Sequence, residues 1–240
     1  MPPFAPSLSI VVPAYNERDN LARVLGDTLA FARRACRRFE LLVVDDGSRD
    51  GSAELLTALA AEAPELRIIT HERNRGLTAT LRSGFFGAAH DFVTWLPADG
   101  QIPPVELGKI LDAWHDHDLV LSTYRQRPDG LWRTVMSRGL RLMLFATTGL
   151  RDRLEGVYLF RRALLEELSL VSDRSAGAIG FEIAVKARRL GRRIGTTEIE
   201  CAPRLSGRSK VANARNIAQS FAELWRIRRS LRDLPRRPRP

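Results

Sequence analysis

The chain has 240 residues, 44% of them hydrophobic and 28% charged, a balance that excludes disorder, a collagen repeat and a coiled coil as descriptions of the whole. Two cysteines, Cys36 and Cys201, argue against a disulfide framework or a zinc site and fit a reducing cytoplasm. The formal net charge is +10, carried by three lysines and 35 arginines, and +6 of it falls between Arg215 and the end.

A basic tail of this kind predicts an anionic partner, a membrane surface or phosphates, rather than a nucleic-acid groove. No stretch reaches about 18 apolar residues, so no transmembrane helix is expected. Met1–Pro6 lacks the basic start and apolar core of a secretory signal.

Residues 8–13 read as a short buried strand closed by Pro13. Asp19 to Arg34 carries apolar residues at helical spacing, with Asp19 or Asn20 placed to cap it. Residues 40–45 form a second strand, which breaks into a turn-rich loop, 46–52, before a helix over 53–62. A strand over 66–70, a helix over 77–89 and a strand over 91–96 follow. Beyond 100 the alternation weakens. The pattern predicts a helix over 104–115, a strand over 118–123, an amphipathic helix over 131–147 and a strand over 157–160. Helices over 162–168 and 181–190, a strand over 193–199, a loop over 203–210 and a helix over 211–231 complete the chain, before a disordered Pro/Arg end.

Strands alternating with helices predict an α/β domain with a mainly parallel sheet, and such sheets bind ligands outside the carboxyl ends of their strands. The polar residues at those ends are Tyr15-Asn16-Glu17, Asp45-Asp46 and Asp99-Gly100-Gln101, so acids from three strands should converge on one edge. A fixed carboxylate at Asp46 would accept from the N–H and O–H groups of a nucleotide. Asp99 and Gln101, two residues apart, are an oxygen pair suited to a hard divalent cation, with phosphate and water completing its shell. Arg125, Arg127, Arg204 and Lys210 stand in polar loops as natural phosphate partners. His115-Asp116-His117 reads as solvated surface, and neither a Walker sequence nor a Gly-x-Gly-x-x-Gly occurs.

Several segments match, in order, the motifs of one family. They are Ile10-Val-Val-Pro-Ala-Tyr-Asn-Glu17, Leu42-Val-Val-Asp-Asp-Gly-Ser-Arg-Asp-Gly-Ser52, Asn74-Arg-Gly76 and Ala98-Asp-Gly-Gln-Ile-Pro-Pro104. Thr123 to Asp129, Ser137-Arg-Gly139, Asp152 to Arg162 and the Arg204 to Lys210 loop continue the match. Over residues 7–210 the chain resembles a family 2 glycosyltransferase of the GT-A fold, close to the dolichol- and polyprenyl-phosphate mannose synthases.

The resemblance implies a Rossmann-like, mostly parallel sheet flanked by helices. It implies a catalytic domain over 1–210 and a basic amphipathic helix and tail over 211–240. It also implies inverting transfer of a sugar from a GDP- or UDP-sugar to a polyprenyl or dolichyl phosphate at the cytoplasmic membrane face. Pro13, Tyr15, Glu17, Val44 and Asp46 would hold the nucleotide. Ala98, Asp99 and Gln101 would hold the diphosphate through Mg²⁺ or Mn²⁺. Arg125, Arg204 and Lys210 would face phosphates, and Asp152 would act as base or positioning residue beside the acceptor. Pro97 departs from the family, which usually has Asp there. The alternatives are transfer to a hydroxyl acceptor, an inactive homologue serving as a scaffold, and a nucleic-acid binder. The last is disfavoured, because aligned carboxylates repel phosphate unless a cation intervenes.

Overall fold

In β1 (Phe4–Ala14) and β2 (Cys36–Asp45) successive side chains alternate between two apolar layers, as the period of an extended strand requires. Near-continuous burial along Ile10–Ala14 and Leu41–Asp45 marks strands covered on both faces. The computed structural model describes residues 4–125, 154–173, 178–202 and 214–235. The other elements are α1 (Arg18–Ala35), α2 (Ser52–Glu62), β3 (Leu66–Thr70), α3 (Leu77–Gly87), β4 (Phe92–Trp95) and α4 (Glu106–Asp112). They continue with β5 (Leu119–Tyr124), β6 (Tyr158–Arg161), α5 (Leu164–Leu168), α6 (Ala178–Arg189), β7 (Ile194–Ile199) and α7 (Ala214–Ser230).

The strands lie in the order β3-β2-β1-β4-β6-β5-β7. Among the described strands only β6 runs antiparallel to its neighbours, β4 and β5. The chain leaves β1 toward β2 and β3 and returns to β4 on the other flank, so the order reverses beside β1. A crevice outside the carboxyl ends of β1 and β4 is the ligand position of such a sheet.

Leu8, Ile10, Val12, Leu41 and Val43 pack with Leu21, Leu25, Leu56, Leu107 and Ile110 on the α1/α2/α4 side. Val11, Leu42, Val44, Val93 and Leu121 pack with Leu81, Phe85, Leu168, Ile179 and Ile183 on the α3/α5/α6 side. At Gly84 a Cβ would collide with the Val11 side chain and stand 3.2 Å from Val44 Cγ2, so the glycine lets α3 lie directly on β1 and β2.

Most boundaries shift by one to four residues from the sequence reading, β2 for instance starting at Cys36 rather than residue 40, and two of the shifts have a visible cause. β1 starts at Phe4 rather than residue 8, because Phe4 packs edge-on against Phe92 at 5.6 Å and Trp114 at 5.3 Å. α1 starts at Arg18, where the Glu17 carbonyl accepts the Asn20 and Leu21 N–H groups, so Asp19 and Asn20 lie inside the helix instead of capping it. The helix expected over 131–147 falls outside the described residues. α7 packs Leu224 and Ile227 against α6 at Ala178 and Phe181.

Candidate functional site

The carboxyl ends of β1, β2 and β3 are tied into one surface by backbone bonds. Asp46 N–H donates to the Ala14 carbonyl at 2.8 Å, and His71 N–H to the Asp45 carbonyl at 2.8 Å. Asn16 takes a left-handed φ of 53°, a region where Asn is tolerated better than most residues. In that turn its N–H donates to Ser48 Oγ at 2.9 Å and its Oδ1 accepts Arg49 N–H at 2.8 Å. Asp50 accepts Arg18 N–H at 3.0 Å on one oxygen and both Ser52 N–H and the Ser52 hydroxyl on the other. Burial alone would raise the Asp50 carboxyl, but those bonds outweigh it and hold it below its ordinary value. Gly47, at φ +72°, lies where a Cβ would stand 2.7 Å from the Arg73 backbone, so the loop after β3 passes directly over it.

Around this frame the expected site residues take distinct positions. Pro13 is buried and in register with Val44, whose side chain belongs to the core. Tyr15 and Glu17 are half-buried at the rim, with Glu17 Oε2 accepting the Asn20 amide at 2.8 Å. Asp45 is buried and accepts Ser48 N–H at 3.1 Å.

Asp46 is only 2% exposed and receives three donors. Its Oδ1 faces His71 Nδ1 at 2.7 Å and accepts Arg75 N–H at 2.9 Å, and its Oδ2 accepts Gly76 N–H at 2.8 Å. His71 is buried and reaches Ser83 Oγ on α3 through Nε2, at 2.9 Å. Sequence reasoning passed over this histidine. The signal was present, since His71 follows β3 as Asp46 follows β2.

On the other side of the crevice, Ala98 is buried and Asp99 half-buried, with Asp99 Oδ1 accepting Gln101 N–H at 3.1 Å. The Gln101 carbonyl accepts Ala202 N–H at 2.8 Å, which brings the end of β7 beside the Asp99 turn. Arg125 is exposed at the end of β5, and its N–H donates to the Ile199 carbonyl at 3.0 Å. Glu155 and Gly156 N–H both reach the Ser122 carbonyl at 3.2 Å, so the segment entering β6 opens onto the same edge. Asp152, Arg204 and Lys210 lie outside the described residues, three and two positions from Glu155 and Ala202 for the first two.

No group of three His, Cys, Asp or Glu side chains able to hold a metal ion occurs among the described residues.

The comparisons with known proteins agree with this topology. The profile of glycosyl transferase family 2 matches residues 9–169. The chain belongs to glycosyl transferase family 2. This family 2 chain is 35% identical over 219 residues to the undecaprenyl-phosphate 4-deoxy-4-formamido-L-arabinose transferase of Pseudomonas paraeruginosa. That match takes in 89% of the chain and only 63% of the relative's length. Among solved structures, a mannosyltransferase from Pyrobaculum calidifontis, in complex with GDP-Man and Mn²⁺, superposes with a TM-score of 0.69 at 22% identity, over 99% of this chain and 68% of that one. Glucosyl-3-phosphoglycerate synthase from Mycobacterium tuberculosis, in complex with UDP, gives 0.67 at 22% identity, over 96% and 81%. These neighbours establish the GT-A fold.

Proposed function

We propose that this family 2 chain moves a sugar from a nucleoside-diphosphate donor to a polyprenyl phosphate, with inversion at the anomeric carbon. The observation that carries the reading is the gathering of Glu17, Asp46 and the Asp99–Gln101 turn at one sheet edge, outside the β1/β4 switch point. The similarity to an undecaprenyl-phosphate sugar transferase points to the acceptor class.

In this reading Pro13, Tyr15, Glu17, Val44 and Asp46 bound the nucleotide pocket. Ala98, Asp99 and Gln101 hold the diphosphate with Mg²⁺ or Mn²⁺, and Arg125, Arg204 and Lys210 supply positive charge to phosphates. When bound, the divalent ion neutralises charge developing on the leaving diphosphate. The acceptor phosphate oxygen forms the new C–O bond as the bond to the nucleoside diphosphate breaks on the opposite face. A phosphate oxygen is already anionic, so Asp152 positions the acceptor rather than removing a proton.

Residues 1–210 form the catalytic domain in this account, and 211–240 an extension lying at the cytoplasmic membrane face. No described helix is long and apolar enough to cross a membrane. Leu224 and Ile227 are covered by α6, so among the described side chains of α7 and the turn after it a membrane contact falls to exposed Trp225, Arg228, Arg229 and Arg232.

The test is a transfer assay with Mn²⁺, a panel of UDP- and GDP-sugars, and either undecaprenyl phosphate or soluble glycans as acceptor. Sugar on the lipid phosphate supports the reading. Transfer only to hydroxyl acceptors, or none with any pair, rejects it.

A further inference from the structure

The buried histidine at the end of β3 extends this reading of the donor site. An ionised carboxylate only accepts hydrogen bonds, with about four lone-pair positions on its two oxygens. At Asp46 three are taken, by His71 Nδ1 and Arg75 N–H on Oδ1 and by Gly76 N–H on Oδ2. Because an ionised carboxylate oxygen has no proton to give, the tautomer that pairs with it is the one carrying its proton on His71 Nδ1. The other ring nitrogen is held by Ser83 Oγ at 2.9 Å, so the imidazole is fixed at both ends between β2 and α3. The position left on the carboxylate lies on Oδ2, and it too can only accept.

We infer that His71 is a positioning residue which, by occupying Asp46 Oδ1, aims Oδ2 at the ring N–H of the donor nucleobase and so selects uracil or guanine over cytosine or adenine. The inference rests on the donor reading proposed above. Uracil and guanine carry a ring N–H on their pairing edge, whereas cytosine and adenine present a bare ring nitrogen there, which a carboxylate repels. The 2% exposure of Asp46 strengthens the discrimination, since a poorly solvated acceptor gains most from a matched donor and loses most against a lone pair.

The three side chains also have the connectivity of a hydrolytic relay. Ser83, however, stands inside α3, where the backbone N–H groups that an oxyanion would need are spent on the helix.

The test is isothermal titration of the full chain with UDP, GDP, CDP and ADP in the presence of Mn²⁺, alongside a thermal melt of each variant. The wild type should bind UDP or GDP at least about tenfold more tightly than CDP and ADP, the scale of one charged hydrogen bond. His71→Phe should reduce that preference to about threefold or less. His71→Asn, whose side-chain amide can take the place of Nδ1–H, should restore it. Should His71→Phe fail to fold, Ser83→Ala tests the same link, with a loss of preference of about threefold expected. An undiminished preference in His71→Phe, or in Ser83→Ala where that variant stands in, overturns the inference, because a purely structural histidine would lower the melting temperature and leave the ratio unchanged. A wild-type chain that binds none of the four nucleotides defeats the donor reading and the inference together.

Discussion

Lys186 on α6 is 1% exposed, and its ammonium lies 2.6 Å from Glu182 Oε1, itself on a fully buried side chain. The pair clamps the turn between α5 and α6. Glu182 accepts Val171 N–H at 2.7 Å and Ser172 N–H at 2.8 Å, while Lys186 donates to the Ser169 carbonyl at 2.8 Å. Ser169 itself sits at a left-handed φ of 44°, which the surrounding bonds hold in place. Lys186→Met keeps most of the volume but leaves Glu182 without its counter-ion and the Ser169 carbonyl without its donor. Breaking a buried pair from one side costs about 3–5 kcal/mol. At about 2–4 °C per kcal/mol for a chain of this size, the melting temperature should fall by roughly 6–20 °C. Replacing both partners, as Lys186→Met with Glu182→Leu, should recover only part of the loss. The Val171 and Ser172 N–H groups would then be stranded at about 1–3 kcal/mol each. Urea unfolding with linear extrapolation measures both variants against the parent. A Lys186→Met variant within about 1 kcal/mol of the parent would refute the clamp, since that is the scale of an exposed pair.

Gly84→Ala should cost about 1–3 kcal/mol by urea unfolding, because the new methyl group enters the Val11 and Val44 side chains. Neither cysteine is in a disulfide, and burial pushes the Cys36 thiol up to about 12. At pH 8 a thiol reagent should therefore label half-buried Cys201 in the native chain and reach Cys36 only on unfolding. Glu40 is held below its ordinary 4.5, since bonds from Ser9, Ala89 N–H and Arg67 outweigh the burial that would raise it, and Arg33 holds Glu65 low. The unfolded chain then binds more protons, so this stabilisation is complete above the ordinary carboxylate range and is lost as the pH falls through and below it. Glu40→Gln should flatten the acid limb of a stability-against-pH curve, and an unchanged limb would contradict that assignment.

The strands and helices were legible because burial follows their periods. β3 emerged with the expected bounds, 66–70, and the sheet edge carrying Glu17, Asp46 and Asp99 followed from counting strand ends. What the sequence hid came from partners distant in the chain. Phe4 enters the sheet because Phe92 and Trp114 wait there, and no local pattern announces that. His71 stands one position past β3, as Asp46 stands past β2, but its links to Asp46 and Ser83 arise only when β2, β3 and α3 meet. In α7 the apolar spacing showed which residues seek cover, but not that α6 covers Leu224 and Ile227 and leaves Trp225 at 60% exposure. The capping of α1 was misjudged because the left-handed turn at Asn16 lets the backbone of Glu17 begin the helix.

On the function proposed above, one sheet edge receives a nucleoside diphosphate together with a divalent ion through a single carboxylate at Asp99. Electron paramagnetic resonance of free Mn²⁺, titrated against the chain with and without UDP and GDP, addresses it most directly. Beyond the loss that the same nucleotide causes without protein, the free-ion signal should fall further only when chain and nucleotide are both present, since Asp99 and Gln101 alone offer too few oxygens, and Asp99→Asn should abolish that further fall. A nucleotide-independent loss of signal, or an Asp99→Asn variant indistinguishable from the parent, would contradict the claim.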